Sequence, residues 1–403
     1  MQEALTLVMP TDDEREKIKR IIGEFSKKIK IKNTKIELGG SVAKDTWLKG
    51  EHDIDIYVKF DPKAYGKKNI SEILKKTLEK NYKIEKVHGS RDYYRIYKSE
   101  YIIEVVPILN ITKVTQAKNI TDVSPFHVKF VKKHKKIVNE IRLAKAFCKS
   151  NNLYGAESYI QGFSGYVLEI LIIHYGSFNK LLKEVAKWNG TIVLDPKQYY
   201  KYKNVMFSMN KSKLTSPLIL VDPVQAERNA AAGVGENKYN KLIKLAKRYL
   251  KTPSKELFKR KQLDLKSLKK KAILIEATET KGKRDVAGAK LMKAFDFFIR
   301  ELNTHDFEIT ESDWQWEQGK KAIMWFVLKE KKIAKTKKHY GPPLRLEVSV
   351  EKFKKAWKGY KLETEKDKCY VMIKRKYTDA RTLLKTSINN KYLKGKAKSI
   401  KLI

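Results

Sequence analysis

Gly39-Gly40-Ser41-Val42-Ala43-Lys44-Asp45-Thr46-Trp47-Leu48, followed by Glu51-His52-Asp53-Ile54-Asp55-Ile56-Tyr57-Val58-Lys59-Phe60, is the stretch that decides the fold. A strand over Thr34–Leu38 runs into a glycine turn, a short helix starts at Ser41, and a second strand carries two aspartates spaced by one residue. Side chains alternate along a strand, so Asp53 and Asp55 share one face while Ile54, Ile56 and Val58 take the other. Two carboxylates about 6–7 Å apart repel each other unless a cation sits between them. Oxygen donors of this kind suit Mg²⁺, which fills its remaining positions from water and substrate phosphates. The turn offers backbone N–H groups at Gly40 and Ser41 where an anion can rest. A phosphate cradle beside a metal-binding pair is what nucleotidyl transfer needs. Either feature alone is usually an ordinary turn or a solvated strand face; together, in this order, they are specific.

Gly40-Ser41 followed by Asp53-x-Asp55 resembles the signature of the DNA polymerase β-like nucleotidyltransferase superfamily. The longer text, Gly40 to Leu48 with Asp53-Ile54-Asp55-Ile56 behind it, resembles the archaeal (class I) CCA-adding tRNA nucleotidyltransferases.

Composition sets the bounds. A chain of 403 residues is long for one core, so about two to four units are expected. The hydrophobic share of 42% argues for a folded chain. Two cysteines, Cys148 and Cys369, exclude a disulfide scaffold and a cysteine zinc site, and suggest a reducing, cytoplasmic setting. No apolar run is long enough for a membrane span, and the acidic start at Asp12-Asp13-Glu14 is no signal peptide. With 88 Lys+Arg against 46 Asp+Glu the net charge is +42, which points to a polyanionic partner. Lysine is spread along the whole chain, so part of this excess is a compositional habit.

Helical periodicity marks 12–30 and Ile70–Leu78. The stretch 101–107 reads as a buried strand with one acid, Glu104, that needs a partner. A salt bridge to Arg91 or Arg95 competes with a place as third metal carboxylate. The resemblance favours the metal, since the superfamily sets its third acid on a neighbouring strand. The family's usual residue there is aspartate; glutamate reaches one methylene further. Phe130, Ile137, Ile141, Ala144 and Cys148 recur at helical spacing, and Gly162 to Leu171 reads as the second helix of a glycine-joined pair. The texture changes near residue 250, after which basic runs include Lys259-Arg260-Lys261. Strands are expected over 272–277, 307–316, Ala322–Leu328 and 370–374, with helices around Leu291 to Leu302 and over 349–357, in a βαβ-type α+β unit. Lys394 to Lys398 reads as a basic tail, and Trp314, Trp316 and Trp325 as candidates for an RNA-binding sheet.

The resemblance implies an α+β multidomain protein: a mixed-sheet catalytic head (1–128), a helical neck and body that binds the nucleotide (129–250), and a ferredoxin- or RRM-like tail (251–403). It implies addition of C, C and A from CTP and ATP to the 3′ end of tRNA, with two Mg²⁺ ions held by Asp53, Asp55 and Glu104. Triphosphate contacts would come from Gly40, Ser41, Lys44, His127, Lys145 and Tyr154. Arg228, oriented by Asp222, would read the base, since a guanidinium presents fixed donors. His339-Tyr340-Gly341-Pro342-Pro343 is a stiff loop that the family also carries, and Tyr340, Gly341 and Pro342 would meet the RNA. The partners are then the tRNA acceptor stem and 3′ end, with no membrane; a homodimer is compatible. Two alternatives stand beside this reading. One is another RNA nucleotidyltransferase, such as a poly(A) polymerase or an oligoadenylate synthetase-like enzyme; the other is a non-catalytic RNA-binding protein with a relict head.

Overall fold

The computed structural model describes residues 2–200, 204–259 and 263–403; Arg260 and Lys261, counted above among the basic runs, lie outside them. The chain divides into two compact units, 1–261 and 262–403.

The first unit begins with a short helix, Gln2–Val8, and then a longer one, Asp12–Lys28, whose capping box pairs Thr11 with Glu14 and whose stripe Ile18, Ile21 and Phe25 is buried. Five strands follow: β1 (Thr34–Leu38), β2 (Asp53–Phe60), β3 (Glu85–Val87), β4 (Tyr93–Lys98) and β5 (Tyr101–Leu109). Their spatial order is β1-β2-β5-β4-β3, with β2 and β5 parallel and the other pairs antiparallel. Ile54, Ile56, Val58 and Phe60 pack without exposure against Ile18, Phe25, Leu74 and Leu78. The period of two that buries these residues sends Asp53 and Asp55 to the opposite face, away from that core.

The rest of this unit is largely helical, with Val138–Ser150, Gly165–Tyr175, Phe178–Val185 and Glu236–Lys251 around one core. The helical run expected from Phe130 onward is broken at His134 (φ −110°, ψ 44°), so Ser124–Lys132 and Val138–Ser150 are separate helices. A short parallel pair, β6 (Ile192–Leu194) and β7 (Leu218–Leu220), had no sequence signal strong enough to read. The stretch 251–259, assigned from sequence to the tail, packs with this module: Phe258 lies edge-on to Phe147, Phe178 and Tyr249.

The second unit holds β8 (Ile273–Thr278), β9 (Ile309–Gln315), β10 (Ala322–Leu328), β11 (Thr336–Pro343), β12 (Leu362–Glu365), β13 (Lys368–Lys374) and β14 (Ser399–Leu402). With the helices Arg284–Thr304 and Ala380–Ser387, its order β14-β8-β10-β9, antiparallel throughout, is the βαββαβ ferredoxin-like arrangement. A three-stranded sheet, β11-β13-β12, with helix Glu347–Ala356 is inserted between β10 and the second of those helices.

Three local expectations are corrected here. The segment 339–343 is not a loop but most of β11; its ladder with β13 shifts register between Tyr340 and Pro343, where proline has no N–H to donate. The basic end is followed directly by a strand, since Ser399–Leu402 pairs with β8 and closes the sheet. The three tryptophans are not an open stacking platform. Trp314 stacks on Phe295, Trp316 donates its Nε1–H to Glu279, and Trp325 is buried with Leu268 and Leu274 under the helix Leu265–Lys271.

Gly341 has a packing reason. A Cβ there would lie 2.7 Å from Cys369 Sγ and 2.9 Å from the Phe353 ring. Gly341→Ala is therefore expected to destabilise this unit by about 1–3 kcal/mol through overpacking. The check is a lowered unfolding midpoint followed by tryptophan fluorescence; an unchanged midpoint would show that the ring simply moves aside.

Candidate active site

Asp53 and Asp55 project from β2 on the face opposite the core of Ile54, Ile56 and Val58. On the parallel neighbour β5, Glu104 stands directly opposite Asp55, and Arg95 of β4 stands opposite Glu104. One row thus runs Asp55, Glu104, Arg95 across three strands. Of the two partners weighed for Glu104, the structure pairs it with arginine: Arg95 donates from Nε at 2.8 Å and approaches with Nη2 at 2.7 Å. Arg91 is engaged elsewhere, on Asp122.

The glycine turn closes over the same carboxylates. Gly39 N–H donates to the Asp55 carbonyl at 2.8 Å. Gly40 has φ +56°, and a Cβ on it would fall 1.6 Å from Asp55 Oδ2. Only glycine lets the turn lie against that oxygen. Beneath Gly39 sits the ring of Tyr57, 2.5 Å from where a Cβ would be. Tyr57 was not picked out from the sequence, although it continues the Asp53-Asp55 face.

Burial first, and then the charge of Glu104, push the Asp55 carboxyl up to about 6, while Lys44 and Lys145 pull it back. An acid held in this state is starved of positive charge, and a divalent cation would supply it. The donor chemistry therefore fits a hard divalent ion. Among the described residues no three His, Cys, Asp or Glu side chains stand grouped as a ready-made metal cage. Glu104 is paired with Arg95.

The two lysines expected at the triphosphate meet a partner that sequence reading passed over. Glu169 is fully buried; its Oε2 accepts from Lys44 Nζ at 2.7 Å and its Oε1 from Lys145 Nζ at 2.8 Å and Thr46 Oγ1 at 2.8 Å. Lys145 also donates to Thr46 Oγ1 at 2.8 Å. Burial would raise the Glu169 carboxyl, but Lys145 and Lys44 hold it at about 2. Two cations on one anion leave the cluster one positive charge in excess. Tyr154 and Gly165 close around it: a Cβ on Gly165 would be 2.8 Å from the Tyr154 hydroxyl and 3.6 Å from Lys145 Nζ. The signal for Glu169 was present as a lone acid in the apolar helix Val167-Leu168-Glu169-Ile170-Leu171, which has to find a cation.

Asp222 forms a third cluster. Its Oδ2 takes a 2.6 Å hydrogen bond from Arg228 Nη1, and its Oδ1 accepts from the Tyr166 hydroxyl at 3.0 Å and Val224 N–H at 2.8 Å. His127 Nε2 lies 3.3 Å from Oδ2, outside hydrogen-bond direction, with its ring stacked on Tyr166 at 4.2 Å. Tyr166 links the clusters, since Lys44 Nζ stands 6.0 Å from its ring centroid. The first unit thus brings Lys44, Lys145, Tyr154, His127, Asp222 and Arg228 into neighbouring contacts, with Gly40 packed on Asp55 and both lysines acting on the Asp55 charge. In the second unit, Tyr340 is half exposed, donates its hydroxyl to Glu365 and packs on Tyr370, while Pro342 accepts from Cys369 Sγ at 3.5 Å.

The fold and this arrangement define a nucleotidyltransferase. Residues 18–138 match the family described as nucleotidyltransferase domain. Residues 139–259 match tRNA nucleotidyltransferase, second domain, and 273–401 match CCA-adding enzyme, C-terminal domain. A curated CCA-adding enzyme of Nanoarchaeum equitans is 38% identical over 319 residues, 78% of each chain. One of Methanosarcina acetivorans is 28% identical over 98% of this chain and 90% of its own. Among solved structures, a cytoplasmic RNA terminal U-transferase (TM-score 0.51, 65% of this chain and 98% of that one) and the Cid1 poly(U) polymerase (0.53, 64% and 97%) share the fold at 12% identity. The chain belongs to the archaeal CCA-adding nucleotidyltransferases. The matched C-terminal domain and the CCA-adding relatives carry CCA addition over the poly(A) polymerase and oligoadenylate synthetase alternative. The nucleotidyltransferase domain brings with it nucleotide substrates and use of a divalent metal. No helix among the described residues is long and apolar enough to cross a membrane.

Proposed function

We propose that the protein extends the 3′ end of tRNA by C, C and A in turn, taking them from CTP and ATP without a nucleic acid template and releasing pyrophosphate. The observation that carries this reading is the Asp53/Asp55 face closed by Gly40 and bordered by the net-positive Lys44–Glu169–Lys145 cluster. Asp53, Asp55 and Glu104 would hold two Mg²⁺ ions. When bound, such ions activate the terminal RNA hydroxyl and neutralise charge on the nucleotide.

The chain's own groups do the rest by positioning. Gly40 and Ser41 offer backbone N–H groups to the triphosphate. Lys44 and Lys145 place the excess positive charge of their cluster against it, and Tyr154 borders that charge. His127 faces the phosphates from its stack on Tyr166. Arg228, held by Asp222, reads the edge of C or A, and the orientation of its fork limits which bases pair with it. The second unit, with Tyr340, Gly341 and Pro342, meets the tRNA acceptor stem.

The test is purified protein with tRNA trimmed of its last three nucleotides, labelled CTP and ATP, with and without Mg²⁺. The expected product is three nucleotides longer and metal-dependent. Extension by ATP alone, or incorporation of UTP in place of CTP, would overturn the reading.

Glu104→Asp, the family's more usual residue, is expected to keep activity within about tenfold, because the carboxylate remains on the same strand position. Complete loss in the same assay would show a centre shaped around glutamate and its Arg95 partner.

A further inference from the structure

Glu169 has been given no role of its own above, yet it is a fully buried acid that accepts from three side chains. It sits mid-helix in Gly165–Tyr175, fully buried among Val167, Leu168, Ile170 and Leu171. Its three partners come from two other segments: Lys44 and Thr46 follow the glycine turn, and Lys145 lies on the helix Val138–Ser150. One carboxylate therefore ties the turn to two helices. Helix Val138–Ser150 adds Arg142 to the Asp45 and Trp47 carbonyls at 2.6 and 3.1 Å, and Lys149 to Glu51. These further ties fix backbone and side chains at the joint, and Glu169 accepts from both lysines.

We propose that Glu169 is the positioning residue of the nucleotide pocket, holding both Lys44 and Lys145 in place and Lys145 charged before CTP or ATP arrives. The inference rests on the reading of those two lysines as triphosphate ligands. Its physical basis is the cost of two ammonium groups sharing a dry site. Without a buried anion they repel, and the deeper one sheds its proton. Burial lowers Lys145 in this way, and Glu169 is the strongest force opposing it. Around Lys145 stand Lys44, Glu169, Thr46 and the Tyr154–Gly165 wall, with Glu51 and Asp55 acting from further off. With glutamate in place the pocket carries one fixed positive charge. With glutamine there, a nucleotide must bring a proton with it, and its affinity becomes pH-dependent.

The experiment measures equilibrium binding of CTP and of ATP, without RNA, to the wild type, E169Q, E169D and K145M from about pH 7.5 to about pH 9. Wild-type and E169D affinities are expected to stay flat across this window. E169Q is expected to bind both nucleotides about tenfold more weakly at the alkaline end and to recover toward wild type at the other. An E169Q profile parallel to that of the wild type, whether equal or uniformly weaker, would overturn the proposal by reducing Glu169 to a packing residue. K145M separates the two levels. If it binds like the wild type, the triphosphate reading itself fails; if it loses binding while E169Q does not, only the present inference fails. Should E169Q not fold by circular dichroism, the wild type still decides, because a titration of its nucleotide affinity within this window would show a lysine that Glu169 does not keep charged.

Discussion

An Asp55→Asn protein is expected to incorporate no measurable nucleotide, a loss of about 10³-fold or more, while its affinity for tRNA stays close to wild type. The substitution keeps the shape of a half-buried side chain and removes one charge. That charge is what the row Asp55, Glu104 presents to a cation, and what the Gly40 turn is packed against. Folding responds in the opposite direction. Burial and Glu104 raise the Asp55 carboxyl to about 6, so ionising it costs the folded state free energy. The cost sets in above the ordinary value of 3.8 and is complete above about pH 6. At neutral pH asparagine removes it, so the unfolding midpoint is expected to rise by a few degrees, on the order of 1–3 kcal/mol of stability. A midpoint that falls together with activity would mean that Asp55 is a structural residue. Full activity in Asp55→Asn would remove the carboxylate face from the reaction altogether.

The second large effect is expected at Gly40. Gly40→Ala places a methyl 1.6 Å from Asp55 Oδ2, inside the space that the carboxylate occupies. Either the turn lifts or Asp55 rotates away, and both separate the phosphate cradle from the acids. Since misplacement by about 1 Å costs roughly 10²-fold, incorporation should fall by about that factor or more. Left-handed strain adds about 1–2 kcal/mol against folding. Gly50 supplies the control: it has φ +72°, and a methyl added there would have nothing within 4 Å. Gly50→Ala carries the same backbone strain without the clash, so it should lose stability and keep turnover. Equal losses of activity in the two variants would assign the effect at Gly40 to strain rather than to the carboxylate.

Much of the head was legible because its signals are local. The period of two in Asp53 to Phe60 set which residues enter the core, and the β2 burial pattern follows it except at Tyr57, which is covered by Ala43 and Val128. The helical stripe of Ile18, Ile21 and Phe25 is likewise short-range. Partner choice was less legible. Lys44 and Lys145 are separated by about a hundred positions, and their common acid Glu169 lies on a third element. The competition of Arg95 with a metal for Glu104 is decided by cross-strand register, which residue types alone do not specify. In the second unit the Pro342-Pro343 pair reads as a loop until the bulge in β11 shows how an edge strand accommodates it.

Residue order along the chain by itself determined the class of protein: a glycine-serine turn and a doublet of aspartates at fixed spacing. These are patterns over a dozen residues, and backbone sterics and strand alternation translate them directly into geometry. Only the tertiary structure decided the electrostatic pairing of Glu169 with two lysines and of Glu104 with Arg95. The physical reason is that a charge cannot be buried without a counter-charge, while the sequence distance to that counter-charge is unconstrained, so the choice among 134 charged side chains, 88 basic and 46 acidic, is made by packing.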